Sequence, residues 1–361
     1  MKKGILLLNL GTPQDASTAS VRRYLHTFLM DPRVIELPAV LRFLLVYGLI
    51  VPFRARKSAH AYQQIWTAQG SPLLVNSLAL KDALAAQLGP DYVVALGMRY
   101  GKPSIQEALS ELHAARIDHL KILPLFPQYA SASSGSAIEV ALGLLAKQWS
   151  IPNIQLIRDF HALPGYIESY AALIQAHRQQ HLNIEYILFS YHGLPEQHLK
   201  KTGCRANCVL AKAYDPKNTE DSNHLCNPCP KIDKNNSACY RAQCYATTQL
   251  IAEKLELGPA QYQTCFQSRL GRRPWIKPYT DEVLIALRQK GLRHIAIVCP
   301  SFVADCLETL EEINLRARAQ WQNLGGESFV FIPCLNDQPL WIEALARILD
   351  SDFTTEAECL S

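Results

Sequence analysis

Three strand-and-turn units occur twice in this chain, in the same order and at a spacing of roughly 175 residues. Gly4-Ile5-Leu6-Leu7-Leu8-Asn9-Leu10-Gly11-Thr12-Pro13 matches Tyr186-Ile187-Leu188-Phe189-Ser190-Tyr191-His192-Gly193-Leu194-Pro195: an apolar run, a polar residue, a glycine, a proline. Val94-Ala95-Leu96-Gly97-Met98-Arg99-Tyr100-Gly101 matches Thr264-Cys265-Phe266-Gln267-Ser268-Arg269-Leu270-Gly271. His119 through Pro127 matches His294 through Phe302. Amphipathic stretches at 104–116 and 281–290 lie between them and read as helices. Strands alternating with helices require right-handed crossovers, and these give a parallel sheet covered on both faces. The expected fold is α/β: two similar, doubly wound parallel-sheet domains with a cleft between them, lined by strand ends. Neither half carries a G-x-G-x-x-G or P-loop pattern, so neither is an obvious nucleotide fold.

The boundary is expected between 160 and 183, where Pro164-Gly165 opens a helix running toward Gln180. That gives an N-terminal domain at 1–165 and a C-terminal domain at 166–361. The second carries a cysteine-rich insertion at 200–240 and a last helical segment, 333–350, able to pack on either half. A net charge of +4 is too small to argue for nucleic acid. The 11 cysteines fit no small secreted framework and follow no secretory leader, so a cytoplasmic location with core or metal-bound thiols is expected. The longest apolar stretch, 37–53, is interrupted by Arg42 and bounded by Pro38 and Pro52, which suits a spanning helix poorly. Three readings stay open for it: a buried core helix, an apolar lip near 37–57 over a ligand cleft, or a surface resting peripherally on the inner membrane. Arg54, Arg56 and Lys57 beside it suit an anionic bilayer.

Chemistry concentrates at two strand ends. Ser190-Tyr191-His192-Gly193-Leu194-Pro195 closes an apolar run, which places His192 where open α/β sheets bind ligands. Gly193 would let a ligand approach the backbone, and Pro195 would stiffen the turn. About 110 residues on, an apolar run ends in Cys299-Pro300-Ser301 and an acidic helix follows. Asp305, Glu308 and Glu312 stand at i, i+3 and i+7, on one face of an α-helix, beside Leu307, Leu310 and Ile313. Stacked carboxylates repel, so their proton affinities rise unless a cation joins them. A lone histidine is more often structural and such a row more often solvated. The strand-end position tips both toward function: a base facing carboxylates can move protons and hold a divalent cation.

These motifs, with Leu8-Asn9-Leu10-Gly11-Thr12-Pro13 and Phe266 through Trp275, resemble the ferrochelatase family, which inserts ferrous iron into a porphyrin. The resemblance covers nearly the whole chain and implies a chelatase-like pair of Rossmann-like domains. It makes His192 and Glu308 catalytic, with Asp305 and Glu312 beside them as metal contacts. Met98, Arg99 and Tyr100 match the family's Phe/Met-Arg-Tyr at the pocket, and Tyr62, Ser268 and Trp275 join them against the substrate. Arg54 and Lys57 would meet its propionates. The implied substrates are porphyrin and Fe2+, with protoporphyrin IX and coproporphyrin both open. A chelatase placing cobalt or nickel in another tetrapyrrole and a non-catalytic metal or haem carrier are the competing readings. The oligomeric state stays open.

Cys204 and Cys208, at C-x3-C, and Cys226 and Cys229, at C-x2-C, flank a polar loop with little apolar core of its own. A metal would stabilise it. The spacing fits structural zinc or a [2Fe–2S] cluster equally. Some ferrochelatases carry a [2Fe–2S] cluster, and the resemblance favours that reading. The ligand pattern of animal members is absent, because residue 131 is Ser131 and the tail holds only Cys359. The internal quartet would serve instead, with Cys239 as a substitute ligand. Cys244 is expected to be a core thiol.

Overall fold

The computed structural model describes residues 2–202, 232–233, 236–269, 271 and 273–350. Two four-stranded sheets are present, every pairing parallel. The first holds β1 (Lys3–Asn9), β2 (Tyr92–Met98), β3 (His119–Pro124) and β4 (Asn153–Leu156) in the order β2-β1-β3-β4. The second holds β5 (Tyr186–His192), β6 (Tyr262–Gln267), β7 (His294–Val298) and β8 (Ser328–Ile332) in the order β6-β5-β7-β8. The two orders are the same, as duplicated halves require.

The central strands are apolar on both faces because both faces are covered. In β1, Leu6 and Leu8 pack with Leu109 and Leu112 of helix Ile105–Ala114 and with Ala137 and Ala141 of helix Ser136–Leu145. Ile5 and Leu7 point the other way, toward Leu80 and Leu84 of helix Pro72–Leu88. That inner core continues without a break into Ile187 and Phe189 of β5, with Tyr166, Tyr170 and Trp341 between the sheets. The last helix, Pro339–Asp350, packs against helices Pro72–Leu88 and Pro164–Gln180. Gly165 permits that approach, since a Cβ there would stand 2.6 Å from the Ala344 Cβ.

The register corrects one of the three repeats. Ile5 pairs with Val94 and its counterpart Ile187 pairs with Tyr262, so Val94 corresponds to Tyr262 rather than Thr264. A shift of two residues leaves every side chain on the same face, so the apolar pattern is blind to it. Met98 N donates to Pro103 O (2.7 Å) and Phe266 N to Pro278 O (2.8 Å). Residues 99–102 separate Met98 from Pro103, whereas residues 267–277 separate Phe266 from Pro278. The third repeat is in register as matched: Leu6 pairs with Ile122, and Leu188 with Ile297.

Segment 37–53 is not a buried core helix. Helix Ala39–Leu45, a π-turn Val46–Ile50 and helix Val51–Ile65 follow one another. Val40, Leu44 and Phe53 are 71%, 60% and 76% exposed, whereas Arg42 is buried. The Arg42 guanidinium folds back to donate to Leu37 O (2.8 Å) and Ile35 O (3.3 Å). The usual polarity is inverted, with arginine inside and leucines outside. Among the described residues, no helix is long and apolar enough to cross a membrane.

Candidate active site

His192 ends β5, and its backbone is held from two sides. Its N–H donates to Ser301 Oγ (3.0 Å), and its carbonyl accepts from Tyr240 Oη (2.8 Å). The ring Nδ1 lies 2.7 Å from Gly193 O. A carbonyl only accepts, so Nδ1 carries the proton and, in the neutral ring, Nε2 keeps its lone pair. Phe302 stands edge-on to the imidazole at 6.3 Å between centroids.

Gly193 has a different purpose from the one its sequence suggests. A Cβ there would stand 2.7 Å from Gln267 O and 3.3 Å from the Trp275 ring. The glycine admits protein rather than ligand, and Gly193 N donates to that same Gln267 O (2.7 Å). Residue 275 is drawn in because Pro195 bridges Trp275 and Ile276 N donates to Leu194 O (2.9 Å). Trp275 thus lies against the histidine turn.

The acidic row is rearranged. A π-helix, Glu308–Ala317, replaces the expected α-helix, and it begins after Asp305. Asp305 is buried and committed: Oδ1 accepts from Thr309 Oγ1 (2.8 Å) and Oδ2 from Asn336 Nδ2 (2.8 Å), with Cys334 N at 3.3 Å. It fastens the loop after β7 to the loop after β8 and does not share a helix face with the two glutamates. The Glu312 carboxylate accepts from Ser268 N (3.0 Å) and Ser268 Oγ, with Arg316 Nη2 at 3.8 Å. Glu308 is half-buried, and its charge acts on Tyr24 and Tyr62 of the first half of the chain. Burial, then the Glu308 charge, pushes the phenol of Tyr24 far above its ordinary value. Tyr62 rises likewise through burial, Tyr24 and Glu308, so both stay protonated beside the carboxylate. Helix Val51–Ile65 supplies Tyr62 and packs on the π-helix, which brings the two halves together at Glu308.

The first-half wall is built on Asp31. Its Oδ2 accepts from Arg99 Nη2 (2.7 Å), Tyr100 Oη (2.6 Å) and Ser136 Oγ (2.5 Å). Burial alone would raise the Asp31 carboxyl. Hydrogen bonds from Ser136, Tyr100 and the Arg33 N–H, with the Arg99 charge, outweigh it and hold the carboxyl below its usual value. Met98 and Tyr100 are each 1% exposed, inside the wall rather than on its surface. Arg54 and Lys57 are exposed on helix Val51–Ile65, and no Asp or Glu occurs anywhere from 37 to 81. Sequence reasoning missed Asp31, Tyr24, Tyr240 and Ser301. Asp31 and Tyr24 carry no motif signal, while Ser301 was quoted only as part of a strand end.

Cys204, Cys208, Cys226 and Cys229 lie outside the described residues. Among the described residues, no group of three or more His, Cys, Asp or Glu side chains could hold a metal ion. Cys239 and Cys244 are both buried, Cys244 completely.

The family model described as ferrochelatase matches residues 2–352. A ferrochelatase of Legionella pneumophila (strain Lens) is 52% identical over 353 residues, 98% of this chain and 100% of that protein. One from Coxiella burnetii (strain CbuG_Q212) is 48% identical over 347 residues, 96% of this chain and 93% of that one. Among solved structures, SirB from Bacillus subtilis with Fe3+ aligns with a TM-score of 0.50 at 11% identity, covering 97% of this chain and 94% of that one. The sirohydrochlorin chelatase SirB of Bacillus subtilis subspecies spizizenii, in complex with cobalt, gives 0.51 at 10% identity, covering 96% and 93%. At such identities the likeness is one of fold: the two-domain chelatase architecture.

Proposed function

Because the chain belongs to the ferrochelatase family of porphyrin metallochelatases, which are lyases, we propose that it inserts ferrous iron into protoporphyrin IX to form protohaem. The observation that carries the catalytic assignment is the His192 imidazole, anchored at a strand end with Nδ1 donating to Gly193 O and Nε2 left as the base.

Two pyrrole protons must leave as the metal enters, and a neutral imidazole accepts one at physiological pH. Glu308, at the start of the π-helix, passes a proton on or meets the incoming iron. Nitrogen and oxygen ligands hold ferrous iron loosely enough to release it, whereas thiolates would retain it. Of the four proposed metal contacts, His192 and Glu308 are best placed. Glu312 joins only by giving up Ser268, and Asp305 serves by holding its loop. Trp275 and Tyr62 are read as apolar walls, Arg54 and Lys57 as partners of the propionates, and Met98, Arg99 and Tyr100 as the wall behind. The exposed face of segment 39–53 rests peripherally on the cytoplasmic side of the membrane. Cys204, Cys208, Cys226 and Cys229 hold a metal centre, on the support of their paired spacing, and the family resemblance favours a [2Fe–2S] cluster over zinc; it takes no part in the chemistry above.

One anaerobic preparation tests these readings. Ferrous iron is supplied with protoporphyrin IX or with coproporphyrin, to wild type and to His192→Ala. Wild type should turn over protoporphyrin IX faster, and the variant should lose on the order of 10²–10⁴ in rate. Normal turnover by the variant would sink the base assignment, and preference for coproporphyrin would replace the substrate. Iron and acid-labile sulfide should be present in equal amounts. Zinc without sulfide would mean a structural zinc site, and no metal would end both readings.

A further inference from the structure

We propose that Gln267 is the positioning residue that keeps His192 and Glu308 in register with each other. The inference rests on the reading of those two residues as base and carboxylate. Gln267 ends β6, pairs with His192 in the sheet and is 5% exposed. Its main-chain carbonyl takes the Gly193 N–H (2.7 Å). Its side chain spans the gap to the π-helix, with Nε2 donating to Glu308 O (2.7 Å). Its Oε1 accepts from Ser190 Oγ (2.7 Å), two residues before His192 on β5, and from Cys299 Sγ (3.6 Å). The amide orientation is unambiguous, because the Glu308 carbonyl can only accept.

Ser268 repeats the grip further along the same helix. Its φ of +66° turns the chain so that its N–H and hydroxyl both reach the Glu312 carboxylate. One dipeptide therefore fastens the π-helix at Glu308 and at Glu312, and the same residue carries the strand pairing to His192. Apolar packing resists separation of helix and sheet but is weakly directional, so it leaves rotation and sliding of the helix poorly fixed. Directional hydrogen bonds, those of Gln267 from a buried side chain, fix both.

Gln267→Glu keeps the shape and the acceptor toward Ser190 but removes the donor to Glu308 O. Burial and that facing carbonyl raise the proton affinity of the new carboxyl, and its protonated form regains a donor. The expected result is a loss of about 10–100-fold in kcat, as for other groups that orient reacting side chains, with the porphyrin KM little changed. The ratio of variant to wild-type kcat should rise as pH falls. Gln267→Met, which has no donor at any pH, should lose as much with no such recovery. Ser268→Gly relieves the positive φ and deletes only the hydroxyl bond, so it should lose less. Melting curves establish that each variant is folded. Wild-type kcat in Gln267→Met, or pH-independent losses in both Gln267 variants, overturns the inference. Should Gln267→Glu not fold, Gln267→Met and Ser268→Gly decide it, and wild-type kcat in both overturns it. His192→Ala, run alongside, separates the two failures. An inactive His192→Ala with unaffected Gln267 variants removes this inference alone, while an active His192→Ala removes the reading beneath it.

Discussion

At position 193 one methyl group would collide with the Gln267 carbonyl oxygen and crowd the Trp275 ring. Gly193→Ala must push β5 away from β6 just where His192 leaves the sheet. The expected cost is about 1–3 kcal/mol of stability, in the range of overpacked cores. Turnover should fall with it; urea denaturation and the chelatase assay report the two effects, and an unchanged midpoint would mean that the turn yields freely. At this scale the sequence is partly legible. A histidine between an apolar run and Gly-x-Pro identifies itself, and Trp275 stands out among the residues after β6. Asp31 does not, because its partners Arg99, Tyr100 and Ser136 come from two other parts of the chain. The purpose of Gly193 was misread for the same reason: what fills the space beside it comes from residues 267 and 275.

Elements follow local periodicity, and they were legible where periodicity decides. The strands, their order of appearance and the intervening helices come from the alternation of apolar and polar runs. Two features escape it. The shift of two residues between β2 and β6 changes no side-chain face, so only hydrogen bonding exposes it. The π-helix Glu308–Ala317 carries the residue types of an α-helix, and reading it with α periodicity added Asp305 to a face it does not share. The inverted polarity of segment 39–53 leads to a direct test. Leu44 and Phe53 are mostly exposed, so Leu44→Ser with Phe53→Ser should change stability by less than about 0.5 kcal/mol per site. The same pair should weaken sedimentation with vesicles of anionic phospholipid. A large fall in melting temperature would instead show the segment packed inside, and unchanged sedimentation would remove the membrane contact.

In the whole molecule the two sheets share one interior, and Trp341 lies in it, stacked on Phe160 at 5.7 Å and edge-on to Tyr166 at 5.9 Å. Trp341→Ala should cost about 3–5 kcal/mol. Because its neighbours belong to both halves, calorimetry should show a single transition moved to lower temperature. Two transitions, only one of them displaced, would mean that the halves melt separately. The duplication was legible, but this union was not, since a repeat says nothing about how its copies are glued. The run from 37 to 81 without an acidic residue has its own consequence, kinetic rather than structural. On the proposed reading of Arg54 and Lys57, a porphyrin with carboxylates at its rim meets a positive field around Arg54, Arg56 and Lys57 before it touches any wall. Such steering acts over about one Debye length, roughly 8 Å in physiological salt, and fades as ions are added. Ionic strength should therefore govern how often porphyrin arrives far more than how long it stays.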